Sequence, residues 1–171
     1  MLSKKMEKAL NEQINAELYS AYLYLSMSAY FEGQNFDGFA NWLRVQYQEE
    51  TSHAMKIYDY VHERGGKVTL TGIDSPQTDW KNPVEVFEQV FEHEQHVTSL
   101  INNLVNMAID EKDHATNNMQ QWFVAEQVEE EANAEKLLED VKMIGGKGQG
   151  MLMLDRELKQ RTFVDETKEE E

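Results

Sequence analysis

Glu49-Glu50-Thr51-Ser52-His53 lies in the middle of a helical pattern that runs from Phe39 to Arg64. Taken at steps of three and four, its inward stripe is Phe39, Leu43, Gln46, Glu50, His53, Ile57 and Tyr60. Glu50 and His53 therefore fall where an amphipathic helix carries apolar side chains. At i and i+3 they share one face, about one turn apart. An ionised carboxylate in a core costs several kcal/mol unless it is paired or binds a metal. The stretch thus predicts a buried polar site to which other helices contribute, with Glu49 turned to solvent.

The rest of the chain supplies those helices. The periodicity predicts four long helices over about 3–32, 37–64, 83–111 and 114–144, and a short fifth over 151–161. Together they form one all-α domain, 1–161, followed by an acidic tail, 162–171, expected to be disordered. Ser3, Asn82 (before Pro83) and Asp113 are the expected N-caps of the first, third and fourth helices; Asn35 or Asp37 is expected to cap the second. The inward stripes read Met6, Leu10, Ile14, Glu17, Ala21, Tyr24, Ser28 in the first helix and Phe87, Val90, Phe91, Glu94, Val97, Ile101, Leu104 in the third. The fourth reads Met119, Phe123, Gln127, Glu130, Ala134, Leu137, Val141. Tyr19, Tyr22, Tyr30 and Phe31 add a second apolar strip to the first helix, more than one core face needs, and a subunit contact is the favoured reading. Lys67 to Asn82 is too long for an ordinary bundle loop. Sixteen residues can span roughly 50 Å against about 42 Å for a 28-residue helix, so the third helix can run parallel to the second. The expected fold is a four-helix bundle with a long crossover.

Composition narrows the function. Of 171 residues, 32 are Asp or Glu and 16 Lys or Arg, a formal charge of −16. That disfavours nucleic acid and anionic membranes and favours cations. No cysteine is present, which rules out disulfides and thiolate metal sites. No leader-like apolar run and no membrane-length apolar stretch occurs, so a cytoplasmic location is expected.

Each of the four stripes is broken by polar residues near its midpoint. These are Glu17; Glu50 and His53; Glu94; and Gln127 and Glu130. Midpoints of equal-length helices share one layer of a bundle, whichever way each helix points. The spacings also repeat. Glu17 to Glu50 and Glu94 to Gln127 are both 33 residues, and Glu17 to His53 and Glu94 to Glu130 both 36. The two halves map onto each other with an offset of 77 residues, the mark of a pseudo-twofold site. Four carboxylates in one dry layer repel strongly, and two divalent cations would neutralise them. Oxygen ligands with one imidazole suit iron, manganese or zinc, and a carboxylate-bridged pair suits iron. A buried salt-bridge network is the alternative, but it needs basic partners and no Lys or Arg lies on these stripes near the layer. His62, His93, His96 and His114 read as surface residues.

The chain resembles the bacterial and archaeal non-haem ferritins from Met1 to about Arg161. The resemblance rests on Asn15-Ala16-Glu17-Leu18-Tyr19-Ser20-Ala21-Tyr22-Leu23-Tyr24, Gln48-Glu49-Glu50-Thr51-Ser52-His53-Ala54, Glu92-His93-Glu94 and Trp122-Phe123-Val124-Ala125-Glu126-Gln127-Val128-Glu129-Glu130-Glu131. It implies a ferroxidase centre. Glu17, Glu50 and His53 would hold a first iron; Glu50, Glu94 and Glu130 a second, with Gln127 nearby. Glu49, Glu126, Glu129 and Glu130 would form a third site, and Tyr24 would be a redox-active tyrosine, with Trp122 close by. The family further implies oxidation of Fe(II) by O2 (or H2O2) and a hollow 24-subunit shell of identical chains that stores ferric oxide mineral. The sequence differs from bacterioferritin, which resembles this fold but carries a second Glu-x-x-His where Gln127 and Glu130 stand here. Thr51 stands at its haem-ligating methionine, so no haem is expected. Asn117 and Gln120 match carboxylates that line the threefold channel of animal ferritins, which puts that route for iron in doubt. Three other readings stay open: a rubrerythrin-type di-iron oxidase or peroxidase, a DNA-protecting miniferritin, and a metal-free structural bundle.

Overall fold

The computed structural model describes residues 1–168; the last three residues of the expected tail, 169–171, lie outside the described residues. Among the described residues there are five helices and no strand: α1 (Lys4–Glu32), α2 (Asp37–Glu63), α3 (Pro83–Asp110), α4 (His114–Ile144) and α5 (Gln149–Leu158). The molecule is an all-α four-helix bundle with a short C-terminal helix. α1 pairs with α2 and α3 with α4 as two hairpins, and α5 docks chiefly on α2.

Local chemistry sets the helix ends. Ser3 Oγ accepts from Met6 N (3.0 Å), Asn82 Oδ1 from Glu85 N (3.0 Å) and Asp113 Oδ1 from Thr116 N (3.1 Å). Each satisfies a backbone donor that the first turn leaves unpaired. α4 ends on Gly145 at φ 75°, a left-handed conformation that glycine adopts without strain.

The start of α2 departs from expectation. Neither Asn35 nor Asp37 caps it; its N-cap is Phe36, whose side chain makes no capping bond. Asp155 of α5 does the work instead, its Oδ1 accepting from Gly38 N (2.8 Å) and Phe39 N (3.1 Å). α5 itself spans 149–158 where the sequence predicts 151–161. Its N-cap is Gly148 at φ 77°, so the helix starts inside the glycine-rich stretch and takes in Gly150, and Lys159, Gln160 and Arg161 close it in a turn. Residues 162–168, expected to be disordered, run as irregular chain against α2, with Lys56 Nζ donating to Thr167 O (3.3 Å).

The long connection traverses the bundle along α1. Asn11 Nδ2 donates to Lys67 O (3.0 Å), Asn15 Nδ2 to Gly72 O (3.1 Å) and Ser26 Oγ to Gln77 O (2.7 Å). Farther along, Trp80 meets Tyr30 edge-on, with ring centroids 5.3 Å apart. The chain therefore climbs α1 in step with it before turning into α3. This covers part of the second apolar strip read from the sequence. Phe31 is buried in the core, Tyr30 lies under Trp80, and Tyr19 stands against His93. Tyr22 alone of the four remains half-exposed, at 49%.

The core is divided in two. One cluster is rich in aromatics (Tyr24, Phe31, Phe39, Trp42, Phe87) and takes in Met151 and Leu154 of α5. The other is largely aliphatic (Leu10, Ile14, Ile57, Val97, Ile101, Leu104). The stripe-breaking polar residues lie between them along each helix. Burial of the two clusters, at roughly 1.5–3 kcal/mol per large side chain, holds a layer that is unfavourable on its own.

Candidate metal centre

Every helix of the bundle delivers its polar residues to this layer, and the layer is dry. Glu17, Glu50 and Glu94 are each 1% exposed, and His53, Gln127 and Glu130 are also buried. Glu17, Glu50 and His53 each offer one ligand atom within 4.8 Å of the others, a spacing that could hold a metal ion. The i, i+3 relation of Glu50 and His53 brings His53 Nδ1 to 3.6 Å from Glu50 Oε2. The other ring nitrogen, Nε2, lies 3.8 Å from Glu126 Oε1.

The second half is tied by hydrogen bonds. The Tyr24 hydroxyl donates to Glu94 Oε1. Gln127 Nε2 lies 3.2 Å from Glu94 Oε2, 3.3 Å from Glu94 O and 3.2 Å from Thr98 Oγ1. Gln46 Nε2 donates to Glu130 Oε2 (2.9 Å), and Gln13 Nε2 to Glu17 Oε1 (2.9 Å). Glu17 Oε2 and Glu50 Oε2 are buried with no hydrogen-bond donor. Buried carboxylate oxygens without donors are rare in folded proteins, and a cation satisfies both at once.

The electrostatics follow from burial. It pushes the Glu50 carboxyl well above its ordinary range, and Glu94, Glu17 and Glu130 push further. Glu94 is raised to about 8 by burial and Glu130, against the opposing bonds from Tyr24 and Gln127. Burial lowers His53, leaving a neutral imidazole with a lone pair free to coordinate. The Tyr24 phenol is driven far above its ordinary value by burial and by Glu94, so it stays a proton donor. In the absence of a metal the layer holds protons; a metal must displace them.

An outer rim of carboxylates leads from the layer towards the surface. Glu49 and Glu126 are part-buried, and each is raised to about 7, by burial first and by Glu130 with it. Glu49 does not face solvent freely: Arg161 Nη2 contacts its Oε2 at 2.7 Å. Glu129 is exposed, and its charge adds to that felt by Glu126. Trp122 meets His53 edge-on at 5.3 Å.

Several residues depart from the sequence reading. His93 is no surface residue: its Nε2 is 2.8 Å from Ser20 Oγ, its ring stands edge-on to Tyr24 (5.9 Å), and burial lowers it to about 4. Its position on α3 turns it into the seam with α1. Gln120 is fully buried with neither amide atom bonded, because it lies on the inward stripe of α4 between Thr116 and Phe123. Gln13 and Gln46 received no role from the sequence. Gln13 sits at i−4 to Glu17, a helical neighbour spacing that could have flagged it. Arg161 carried no signal at all, since only the docking of α5 brings it to Glu49.

Among the described residues no helix is long and apolar enough to cross a membrane. The Ferritin-like domain family matches residues 7–144. A bacterial non-heme ferritin of Bacteroides fragilis is 48% identical over 161 residues, covering 94% of this chain and 100% of that one. Its counterpart in Campylobacter jejuni is 42% identical over 159 residues, covering 93% and 95%. Among solved structures, an open-pore ferritin from the hyperthermophilic archaeon Archaeoglobus fulgidus is 54% identical with a TM-score of 0.93, covering 95% of this chain and 100% of that one. A closed form of Archaeoglobus fulgidus ferritin made by site-directed mutagenesis gives 54% and 0.94, covering 96% and 100%.

Proposed function

Because the chain belongs to the ferritin-like family, among relatives that are non-haem ferritins, we propose that it oxidises Fe(II) and stores the product as ferric mineral within a shell of identical chains. The observation that carries this reading is the buried Glu17–Glu50–His53 triad, whose ligand atoms lie within 4.8 Å of one another, with Glu94 and Glu130 near enough for their charges to raise the Glu50 carboxyl. Fe(II) is the substrate and O2 the oxidant, with H2O2 as a further candidate.

The residues divide the work. Glu17, Glu50 and His53 take one iron through oxygen and imidazole donors, which suit that ion. His53 coordinates through Nδ1, the nitrogen that faces Glu50, while Nε2, 3.8 Å from Glu126 Oε1, faces the outer rim. Glu50, Glu94 and Glu130 take the second iron, with Glu50 between the two. The two irons together give O2 two electrons, and with two protons drawn from the site and its water the oxygen leaves as H2O2. The carboxylates stabilise the rise in charge, as fixed anions in a dry site do best. Tyr24, hydrogen-bonded to Glu94, stands ready to supply a proton or an electron beside the pair. Gln127 holds Glu94 in place. Glu49, Glu126, Glu129 and Glu130 offer weaker outer positions through which the oxidised product leaves. A 24-subunit shell, by likeness to the family, is the proposed assembly, and no haem is called for.

The test is a double substitution, Glu50→Ala with His53→Ala. Rapid Fe(II) oxidation, followed by stopped-flow absorbance, is expected to vanish while the native mass stays unchanged. Undiminished oxidation in that variant would sink the assignment. Native mass with iron loading separates the competing classes. A shell that holds far more than three irons per chain is a store; a small oligomer that stops at two is a di-iron oxidase.

A further inference from the structure

Arg161 is held from four directions. Its Nη2 lies 2.7 Å from Glu49 Oε2, and its Nη1 donates to Trp42 O (3.3 Å). The guanidinium covers the Trp42 ring at 4.7 Å. Its backbone oxygen accepts from Asn41 Nδ2 (2.9 Å), which also reaches Leu158 O (3.2 Å). Asn41, Trp42 and Glu49 all belong to α2, so the arginine at the end of α5 is strapped along two turns of that helix. The pair is mostly buried, with Arg161 24% and Glu49 17% exposed at the side chain. This is a placed cation, unlike the lysine pairs on the outer surface.

Its position matters because of what lies behind it. Glu49 precedes Glu50 in the chain, and the negative charges of Glu130 and Glu126 help to raise its carboxyl. Glu126 in turn reaches His53. The outer rim is therefore one step from the paired centre, and a fixed positive charge already stands on it. A divalent ion bound by Glu49 would share its carboxylate with the guanidinium, which already engages Oε2, and like charges at contact distance repel. The two cations therefore compete for Glu49.

We propose that Arg161 is a resident counter-cation that keeps a third metal ion off Glu49, so that the chain holds two ions tightly and admits a third only when the arginine swings away. The inference rests on the paired centre proposed above and adds a positioning residue that governs passage between that centre and the shell interior. Because Arg161 hangs from α5, the docking of α5 on Gly38 and Phe39 sets how firmly the position is held.

Calorimetric titration of the assembled, iron-free protein with Zn(II) tests this. Two tight ions per chain are expected, with any third at least tenfold weaker. Arg161→Gln is expected to strengthen the third ion tenfold or more; adding Glu49→Gln removes that gain. Arg161→Lys keeps the charge and is expected to stay close to the unsubstituted protein. Three equally tight ions in the unsubstituted protein, or a third ion unaffected by Arg161→Gln, overturns the proposal. Fewer than two tight ions in the unsubstituted protein overturns the paired centre and the inference with it. Crystals of the unsubstituted protein soaked in concentrated Zn(II) give a check that needs no variant. An ion on Glu49 is expected only where the guanidinium has left it, and both together on that carboxylate refute the exclusion.

Discussion

Glu94 links the burial of the centre to a measurable pH dependence. Its carboxyl rises to about 8 on folding, and those of Glu49 and Glu126 to about 7. A carboxyl raised by folding binds its proton more tightly in the native state. The stability it contributes is full below the unfolded value near 4.5 and is lost as pH climbs through the folded value. His53 and His93 are lowered on folding, so each adds stability as pH rises through the unfolded imidazole value near 6.5 and opposes the carboxyls in the lower half of that window only. The metal-free protein should therefore lose on the order of a few kcal/mol of stability from Glu94 alone between about pH 5 and pH 9. Adding Zn(II) at the higher pH should restore it, with release of protons to the buffer. Thermal melts across that range check both statements; a metal-free melting temperature that climbs towards pH 9 contradicts them. Gln13 gives a second case. It holds Glu17 Oε1 from one turn away, so Gln13→Leu should weaken Zn(II) binding by roughly 10–100-fold, the usual cost of losing a group that orients a ligand. The native mass should not change. The buried carboxylates of the layer were legible in the sequence because each interrupts an apolar stripe. Their orienting amides were less so. Gln46 interrupts a stripe too, but nothing local shows that it reaches Glu130. His93 looks like a surface residue in its own helix and becomes an inner one only through Ser20 and Tyr24 of α1.

At the scale of elements, α5 depends on one carboxylate and one missing side chain. Asp155 Oδ1 accepts two backbone donors at the start of α2, and a Cβ on Gly38 would stand 1.7 Å from the Asp155 carbonyl oxygen. Backbone cannot yield as a flexible side chain does, so Gly38→Ala should push α5 off its seat. Asp155→Ala should cost about 0.5–2 kcal/mol, the value of an N-cap. Both variants should be cut faster by protease within 145–150, where Gly145, Gly146 and Gly148 all have positive φ. Unchanged cleavage in Gly38→Ala would show that α5 is held by other contacts. The four long helices were legible because their caps and stripes are local features. The cap of α2 was not, because its carboxylate comes from more than a hundred residues away.

For the whole molecule, charge and exposed apolar surface pull in opposite directions. α5 presents Leu152 and Met153 outwards at 53% and 72% exposure, and α1 presents Tyr22. Apolar groups this open in one chain favour burial against another copy. A charge of −16 on every chain opposes that association. Salt decides the balance, since the screening length is about 8 Å at physiological ionic strength and about 30 Å at 0.01 M. The assembled form should therefore persist at ordinary salt and loosen when salt is removed, read as a fall in native mass by light scattering. Divalent cations should reverse that fall at much lower concentration than sodium, because they neutralise carboxylates in the layer as well as screening those outside. Leu152→Asp should weaken assembly even at high salt, by placing a further charge where apolar contact is needed. If native mass ignores both salt and Leu152→Asp, the contacts between chains lie elsewhere, on α1 and the long connection, and Tyr22 becomes the residue to substitute next.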